Sequence, residues 1–413
     1  MIKAGSLFYA VVLSLVVSIL TSSILLLGYN IRFACDRADL QRRLMLNANS
    51  GIQLLLSSGD KAEEEFRTTV DLFDQQIDSV ELSSKNWGVY RVICSKAIHR
   101  NEQKMITAFC GSAPKEKYCI WMADHNRPLA VCGNTLLKGD AFLPAVGVKR
   151  GFIEGQEFNG TEMVKGEIRK STSIVPPLAE NLITSLRDIF SGQTGNSDSL
   201  AYFDEGFSDT LVNDFNKPTI TFFSGTDLNL SQGFYYGNIV FVAKGTITVS
   251  HGAVLHDVLL TGRKIILQQS FRGNLQAFAR DSVLLEKDVT LSYPSALGVI
   301  KSSEKGVAAV ITTGSDSIFG SLLALKGKTE IDNAGVILEK DCFLEGEIYT
   351  DGFSAVSGVV HGSLTCSSLL LRTPSSVYEN HILNATIDAL ARPVSYAGMC
   401  QPGNNNIIIK YLR

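Results

Sequence analysis

Apolar and polar positions follow two different patterns along the chain. One continuous apolar run lies near the N-terminus, and short apolar pieces separated by glycine and polar residues fill most of the remainder. Residues 6–28 contain no charged side chain, and at helical rise they span roughly 35 Å, more than the ~30 Å core of a bilayer. No small-residue cleavage site follows, so the pattern predicts a permanent membrane-spanning helix rather than a cleaved signal.

Helical spacing continues beyond this run. Asp36 is suited to cap a helix start and Gly59 to end a helix. We therefore expect a helical stalk that continues the membrane span, giving a rod of about 50 residues or roughly 75 Å. Apolar residues recur at helical spacing within the stalk: Leu40, Leu44, Met45, Ile52 and Leu55.

An 18-residue period relates the apolar pieces between residues 239 and 291. Phe271 and Val289 mark a weaker third strand in each period, and Pro294 is expected to end a strand at a corner. Repeats of this length are typical of a parallel β-solenoid, in which each coil buries apolar residues against the next. Insertions shift the register after 291, and Cys342 is expected to stack on Cys366. The aligned apolar sets are Phe241–Leu259–Ala277, Val242–Leu260–Phe278, Ile247–Ile265–Val283 and Val249–Leu267–Leu285.

The sequence thus predicts a mainly β protein with a single N-terminal transmembrane helix and helical stalk, a small β module and a parallel β-solenoid (β-helix). Within the predicted insertion, 176–192 is expected to be helical and 194–217 to be a loop. The C-terminal residues are expected to form a tail or cap with a last strand. The predicted divisions are 1–58 (anchor and stalk), 59–128 (small β module), 129–167 (first solenoid coils), 168–217 (insertion), 218–390 (solenoid) and 391–413 (tail or cap).

Charge and motifs narrow the classes of function. The chain has 38 basic and 41 acidic residues, a net charge of −3, so no broad cationic surface for nucleic acid is expected. Glycine-rich phosphate-binding motifs and common hydrolase motifs are absent from the sequence. We therefore predict no catalytic residue, no cofactor and no metal site, and a protein that is not an enzyme.

Cysteine usage leaves two alternatives open. No two cysteines are spaced as CxxC, which argues against a zinc or thioredoxin-type site. Four cysteines between 94 and 132 would allow two disulfides outside the cytoplasm, whereas the alternative is that they are small buried hydrophobes in strands. The eight are Cys35, Cys94, Cys110, Cys119, Cys132, Cys342, Cys366 and Cys400.

Two groups of polar residues are candidate sites. To bind a metal, the side chains of His251, His256 and Asp257 would have to point toward one position and be joined by a further ligand. A solvated corner is therefore favoured. A cluster of acids would suit calcium binding or polysaccharide cleavage only at a fixed carboxylate separation, and its alternation favours a solvated strand face. The acids are Glu339, Asp341, Glu345, Glu347 and Asp351.

The N-terminal segment, as far as Leu55, resembles type IV pilin-like proteins, in particular minor pseudopilins. A short basic leader, a small-residue junction at Gly5–Ser6 and a long apolar helix with an amphipathic second half carry the resemblance. It implies cleavage after Gly5 and packing of the helix into a filament or its tip. The chain departs from most pilins in having Ala10 where a glutamate follows the cut, which argues against a major subunit.

The 18-residue period is similar to that of hexapeptide left-handed β-helices and of bactofilin-type polymerising β-helices. The first resemblance implies an acyltransferase with His251 as candidate base, for which no second element is visible. The favoured hypothesis is a non-enzymatic inner-membrane protein with protein partners, an accessory subunit of a pilus-like or secretion-type assembly. The alternatives are a tethered glycan-binding or glycan-cleaving β-helix and a membrane-bound cytoskeletal scaffold.

Orientation in the membrane is contested within the sequence. Lys3 precedes the span and Arg32, Arg37, Arg42 and Arg43 follow it, so the positive-inside rule alone would keep the large domain in the cytoplasm. Long domains, however, translocate largely regardless of charge. We therefore expect a single-pass protein whose C-terminal domain is periplasmic or otherwise extracytoplasmic.

Overall fold

The computed structural model describes residues 4–57, 66–73, 77–114, 116–190, 199–202, 210–301, 306–327, 333–400 and 404–412. It is mainly β with one long apolar helix at the N-terminus, as predicted. The chain forms two compact units. The first comprises Met1–Leu55, Arg67–Ser83 and Cys94–Ile106, and the second comprises Leu56–Phe66, Ser84–Ile93 and Thr107–Arg413.

The described residues contain two helices, α1 (Ala4–Ser57) and α2 (Glu180–Ile189). The first strands are β1 (Phe66–Val70), β2 (Ser79–Trp87), β3 (Tyr90–His99), β4 (Glu102–Ala113), β5 (Tyr118–Met122), β6 (Leu129–Cys132), β7 (Leu136–Lys138), β8 (Asp140–Leu143), β9 (Val148–Arg150), β10 (Phe152–Ile153), β11 (Gln156–Glu157) and β12 (Ile168–Lys170). The next are β13 (Ser199–Tyr202), β14 (Thr210–Asn213), β15 (Ile220–Ser224), β16 (Leu228–Gly237), β17 (Ile239–Ala243), β18 (Thr246–Leu267), β19 (Arg272–Leu285), β20 (Thr290–Ile300), β21 (Ala308–Thr312) and β22 (Ser317–Leu325). The last are β23 (Ala334–Leu338), β24 (Phe343–Thr350), β25 (Phe353–Val356), β26 (Val359–Cys366), β27 (Ser368–Arg372), β28 (Val377–Glu379), β29 (His381–Leu383), β30 (Thr386–Asp388) and β31 (Asn405–Leu412).

Helix α1 dominates the first unit. It runs without interruption past Asp36, so the predicted rod is confirmed and the predicted cap at Asp36 is wrong. The predicted stop at Gly59 lies outside the described residues. A stripe at helical spacing is buried in the second half of the helix, and Met45, which the sequence places on that stripe, is exposed. The buried residues of the stripe are Leu44, Ala48, Ile52 and Leu55.

A five-stranded sheet has the order β1-β2-β3-β4-β31. The C-terminal strand β31 runs antiparallel to β4, with Asn405 opposite Ala113 and Leu412 opposite Thr107. The predicted last strand therefore exists, and it completes this sheet instead of continuing the parallel strands that precede it.

Most of the second unit is a set of parallel strands, here called the parallel ladder (β5, β7, β8, β12–β27 and β30). The 18-residue period is confirmed where β18 meets β19, because Ile265 lies opposite Val283 and Leu267 opposite Leu285. The alignments of Phe241 with Leu259 and of Val242 with Leu260 are each wrong by one residue, since Phe241 pairs with Leu260 and Val242 with Thr261. Register shifts beside Asp257, which has φ of 61°, account for the slip.

Insertions lengthen the period after residue 291, as expected. Thr290 pairs with Ser317, and Ser317 in turn pairs with Phe343, so both steps are longer than the 18-residue period. Pro294 is expected to end a strand, but β20 continues through it with a register shift between Leu291 and Ser295. Phe271 and Val289, the residues expected in the weaker third strand, are both fully buried and lie just before β19 and β20.

The order of strands in the ladder does not follow the order of the sequence. Strand β5 pairs with β26, so that Leu364 lies opposite Ile120, and β7 pairs with β30. The segment expected to form the first coils thus adds to the C-terminal end of the ladder. The sequence could not indicate this, because most of the ladder separates the paired strands along the chain.

The ladder has apolar residues on both faces. One face forms a continuous core with leucine, isoleucine and valine columns, and the other is covered in part by α2, whose Leu182, Leu186 and Ile189 are buried. Helix α2 confirms the helix expected in 176–192. The loop expected over 194–217 is wrong where β13 and β14 form, while 194–198 and 203–209 lie outside the described residues.

Candidate functional site

The first half of α1 is an apolar surface, and none of the residues that the structure describes packs against it. All residues from Gly5 to Asp39 are exposed, including Leu13, Ile24 and Leu25. The helix is long and apolar enough to span a membrane.

Hydroxyl groups within this apolar stretch bond to the helix itself. Ser14 Oγ donates to Val11 O at 2.8 Å, and Ser23 Oγ donates to Ile19 O at 2.8 Å. A hydroxyl that has no water partner in hydrocarbon is satisfied in this way by the preceding turn. These two serines are therefore compatible with a bilayer.

The second half of α1 is fixed within the first unit by Asp78. This carboxylate, whose side chain is 9% exposed, accepts hydrogen bonds from Arg43 Nε at 2.8 Å and from Asn47 Nδ2 at 2.9 Å, and it lies 2.7 Å from His99 Nδ1. Gly51 lets a strand approach closely, because a Cβ there would lie 2.8 Å from Leu82 Cδ2. Hydrogen bonds to Asp78 and close packing at Gly51 thus hold the second half of α1, whereas the first half is exposed.

The histidine pair does not form a metal site. His251 is exposed, whereas His256 lies beside two rings, 6.1 Å from Phe234 and 6.3 Å from Tyr236. Asp257 is buried and forms an ion pair with Lys410, so the predicted solvated corner is wrong for this residue. Among the residues that the structure describes, no group of three or more His, Cys, Asp or Glu side chains could hold a metal.

The five acids of 339–351 do not share one environment. Glu339 and Asp341 are exposed, Glu345 and Asp351 are half-buried, and Glu347 is buried. The predicted solvated face is therefore wrong for Glu347. Sequence alternation could not reveal this, because Arg392 and Met399, which contribute to the enclosure of Glu347, belong to a later segment.

Glu347 lies at the centre of a buried polar cluster. Its Oε1 accepts hydrogen bonds from the Met399 N–H at 2.6 Å and from Ser321 Oγ at 3.1 Å. Tyr396 Oη lies 3.2 Å from Ser321 Oγ and donates to Gly320 O. Arg392 is buried, donates to Ser363 Oγ at 3.3 Å and stacks on the Tyr396 ring.

Burial shifts the pKa values of the ionisable side chains in this cluster. Loss of hydration raises the pKa of Glu347, and the Met399 N–H and the Arg392 charge oppose the rise. Burial likewise raises the pKa of Tyr293 to about 12 and that of Tyr396 well above its usual value. A carboxylate enclosed by main chain is inaccessible to a substrate, so the arrangement fastens segment 392–399 to the ladder rather than performing acid–base chemistry.

Asp316 is a second buried carboxylate, inside a corner of the ladder. It accepts hydrogen bonds from the N–H groups of Val289 at 3.0 Å and of Thr313 at 3.3 Å. Burial raises its pKa to about 6 against these bonds. Asp316 precedes Ser317, which pairs with Thr290, so it takes the place that the apolar Val289 has just before β20.

No disulfide joins the eight cysteines, all of which lie in described parts of the chain. Cys119, Cys132 and Cys366 are fully buried, as the alternative of small buried hydrophobes predicts. The expected stacking of Cys342 on Cys366 is wrong: Cys342 contacts Thr312, and Cys366 pairs with Met122.

Comparisons with known proteins assign no family. No family model matches the chain, and no curated protein matches it. Among solved structures, the chain is similar to the competence-associated pilin ComZ from Thermus thermophilus, at 11% identity over 84% of this chain and 88% of that chain. The TM-score is 0.23, and a superposition of that quality does not indicate a shared fold.

Proposed function

We propose that the chain is a non-enzymatic, membrane-anchored accessory subunit of a pilus-like or secretion-type assembly of the cell envelope. The observation that carries this proposal is the division of α1 into a bare apolar half and a half fixed by Asp78 and Gly51. A helix built in this way can lie in a bilayer and then transfer to a bundle of similar helices without any change in the domain that it carries.

The placement of the C-terminal part outside the cytoplasm has structural support as well. Two of the four arginines that follow the span are engaged with acids of the first unit, Arg37 with Glu102 at 3.2 Å and Arg43 with Asp78 at 2.8 Å. These arginines thus have a structural role apart from orienting the span, which weakens the positive-inside argument for a cytoplasmic domain.

We further infer that the parallel ladder is the wall of a β-solenoid, which includes β5, β7, β8 and β12 in addition to the segment 218–390 expected from the sequence. The successive parallel registers support this, as do the fully buried columns that include Leu267, Leu285 and Val289. A solenoid offers long regular sides that suit contact with protein partners. A cleaving enzyme is the weaker alternative, since Glu347 is enclosed.

N-terminal sequencing of the chain recovered from membranes tests the proposal. We expect Ser6 as the first residue, because assembly of a pilin-like subunit requires removal of the leader. Gly5 has open space around it, so Gly5→Leu leaves the fold unchanged and should block the cut. A wild-type chain that keeps Met1 while it resides in the membrane would be an ordinary anchored protein, and the proposal would be wrong.

A further inference from the structure

One pair of cysteines meets from distant parts of the second unit. Cys400 Sγ lies 3.8 Å from the carbonyl oxygen of Cys110, and 290 residues separate the two in sequence. Both residues are buried. By contrast, the thiol of Cys119 contacts the carbonyl of Gly139, and that of Cys342 contacts the hydroxyl of Thr312.

The main chain around this pair is held in place. Ser112 and Gly398 exchange two backbone hydrogen bonds, at 3.0 and 2.9 Å, in an antiparallel bridge close in sequence to both cysteines. Such a bridge holds its Cα atoms about 5.5 Å apart, a separation that disulfides also favour. At the cysteine itself, the N–H of Cys400 donates to Val89 O at 3.2 Å. The main chain is thus fixed two residues from each cysteine, and a bond between the sulfurs would form by rotation of the two side chains toward each other.

We propose that Cys110 and Cys400 form a disulfide when the chain folds in the presence of a disulfide donor, and that this bond fastens the C-terminal segment 396–412 to β4. The donor disulfide first joins one cysteine and releases one thiol. The second cysteine then attacks this mixed disulfide and releases the other thiol. The two cysteines thus lose two protons and two electrons, and the donor gains them. The chemistry does not depend on the proposed function, although an envelope location would supply the donor.

Burial determines when the bond can form. It raises the pKa of the Cys110 thiol to about 12, with the neighbouring Cys400 as the second cause, so thiolate is scarce once the segment has docked. Oxidation must then accompany folding. The native reduced protein should resist the same donor, and the oxidation state would record the compartment in which the chain folded.

The test uses the full chain in detergent, unfolded with reductant and refolded with reduced and oxidised glutathione. Trypsin places Cys110 in peptide 105–115 and Cys400 in peptide 373–410. We expect these peptides to be joined in the non-reduced digest and separated by reduction. Cys119→Ser, a buried control, should retain the link, and Cys110→Ser should abolish it.

A second readout does not depend on any variant. The linked wild-type chain should unfold at a temperature about 5 °C above that of the reduced chain, because the bond closes a very long loop in the unfolded state. Recovery of both peptides unlinked from correctly refolded protein would overturn the proposal. So would equal amounts of Cys400 joined to Cys94 or Cys119.

Discussion

Glu347 and Met399, 52 residues apart, are joined by a hydrogen bond of 2.6 Å between the carboxylate and a main-chain N–H. This contact ties the C-terminal segment to the parallel ladder. Because Arg392 and four tyrosines interact electrostatically with the same carboxylate, its removal should affect more than one bond.

Replacing Glu347 by alanine should lower the free energy of unfolding by about 3 kcal/mol, since it leaves the Met399 N–H and the Arg392 charge buried without their partner. Glu345→Ala, in the same strand and half-buried, is the matched control and should cost less than about 1 kcal/mol. Denaturant unfolding of the full chain in detergent measures both. Equal effects of the two substitutions would contradict the role of the cluster.

Asp316 should make stability depend on pH in a defined window. Its folded pKa of about 6 lies above the ordinary 3.8, so between about pH 4 and 6 the native state keeps a proton that the unfolded chain has lost. The free energy of unfolding therefore falls as pH rises through this window, by up to about 3 kcal/mol, and is flat above it.

Asp316→Asn should remove this dependence of the free energy of unfolding on pH, even where the substitution changes the stability at a given pH. Unfolding curves at half-unit pH steps from 4 to 7 provide the comparison, with the exposed Asp341→Asn as control. If the free energy of unfolding of Asp316→Asn still fell with pH in the same way, another titrating group would be its cause.

Gly51→Ala should destabilise the first unit although alanine favours helix by about 1 kcal/mol. The added methyl group would overlap Ser95 Oγ and lie 2.8 Å from Leu82 Cδ2, and overpacking of this kind costs about 1–3 kcal/mol. Gly28→Ala, where a Cβ would have open space, should be neutral or stabilising. Thermal unfolding of both variants measures these effects. If Gly28→Ala were more destabilising than Gly51→Ala, the close approach of the strand to Gly51 would be refuted.

Asp78→Ala should release the second half of α1 from its strands. Arg43, Asn47 and His99 lose a shared, largely enclosed partner, so we expect a loss of about 3 kcal/mol in hydrogen-exchange protection of amides in 79–83 and 94–99. Glu102→Ala removes a more exposed pairing with Arg37 and should cost about 1 kcal/mol or less. Protection unchanged in Asp78→Ala would mean that apolar packing alone holds the helix.

Local patterns predicted the features that depend on neighbours in sequence. The uncharged run of 6–28 and the stripe through Leu44 and Ile52 were sufficient for a continuous α1. The 18-residue period gave the correct partner for Ile265 because no insertion separates it from Val283. In each case the spacing is short and uninterrupted.

Features set by distant contacts could not be predicted. The burial of Glu347 depends on Met399, and the pairing of Ile120 with Leu364 joins strands from opposite ends of the second unit's sequence. The sequence favours a solvated position for Asp257 because its partner, Lys410, lies far away in the last strand. The period alone contains no information on which segment meets which end of the ladder.

The central claim is that α1 crosses a membrane and leaves the ladder outside the cytoplasm, and labelling with an impermeant maleimide tests it most directly. Cys132 and Cys366 are too deeply buried to report, so the reporter is Lys287→Cys, at an exposed corner, in a Cys35→Ser background. Lys3→Cys, combined with Gly5→Leu in the same background so that the leader is retained, reports the opposite end of the span. We predict labelling at 287, and none at 3, in cells whose inner membrane is intact. Labelling at 287 only after that membrane is breached would contradict the envelope placement and favour a cytoplasmic scaffold.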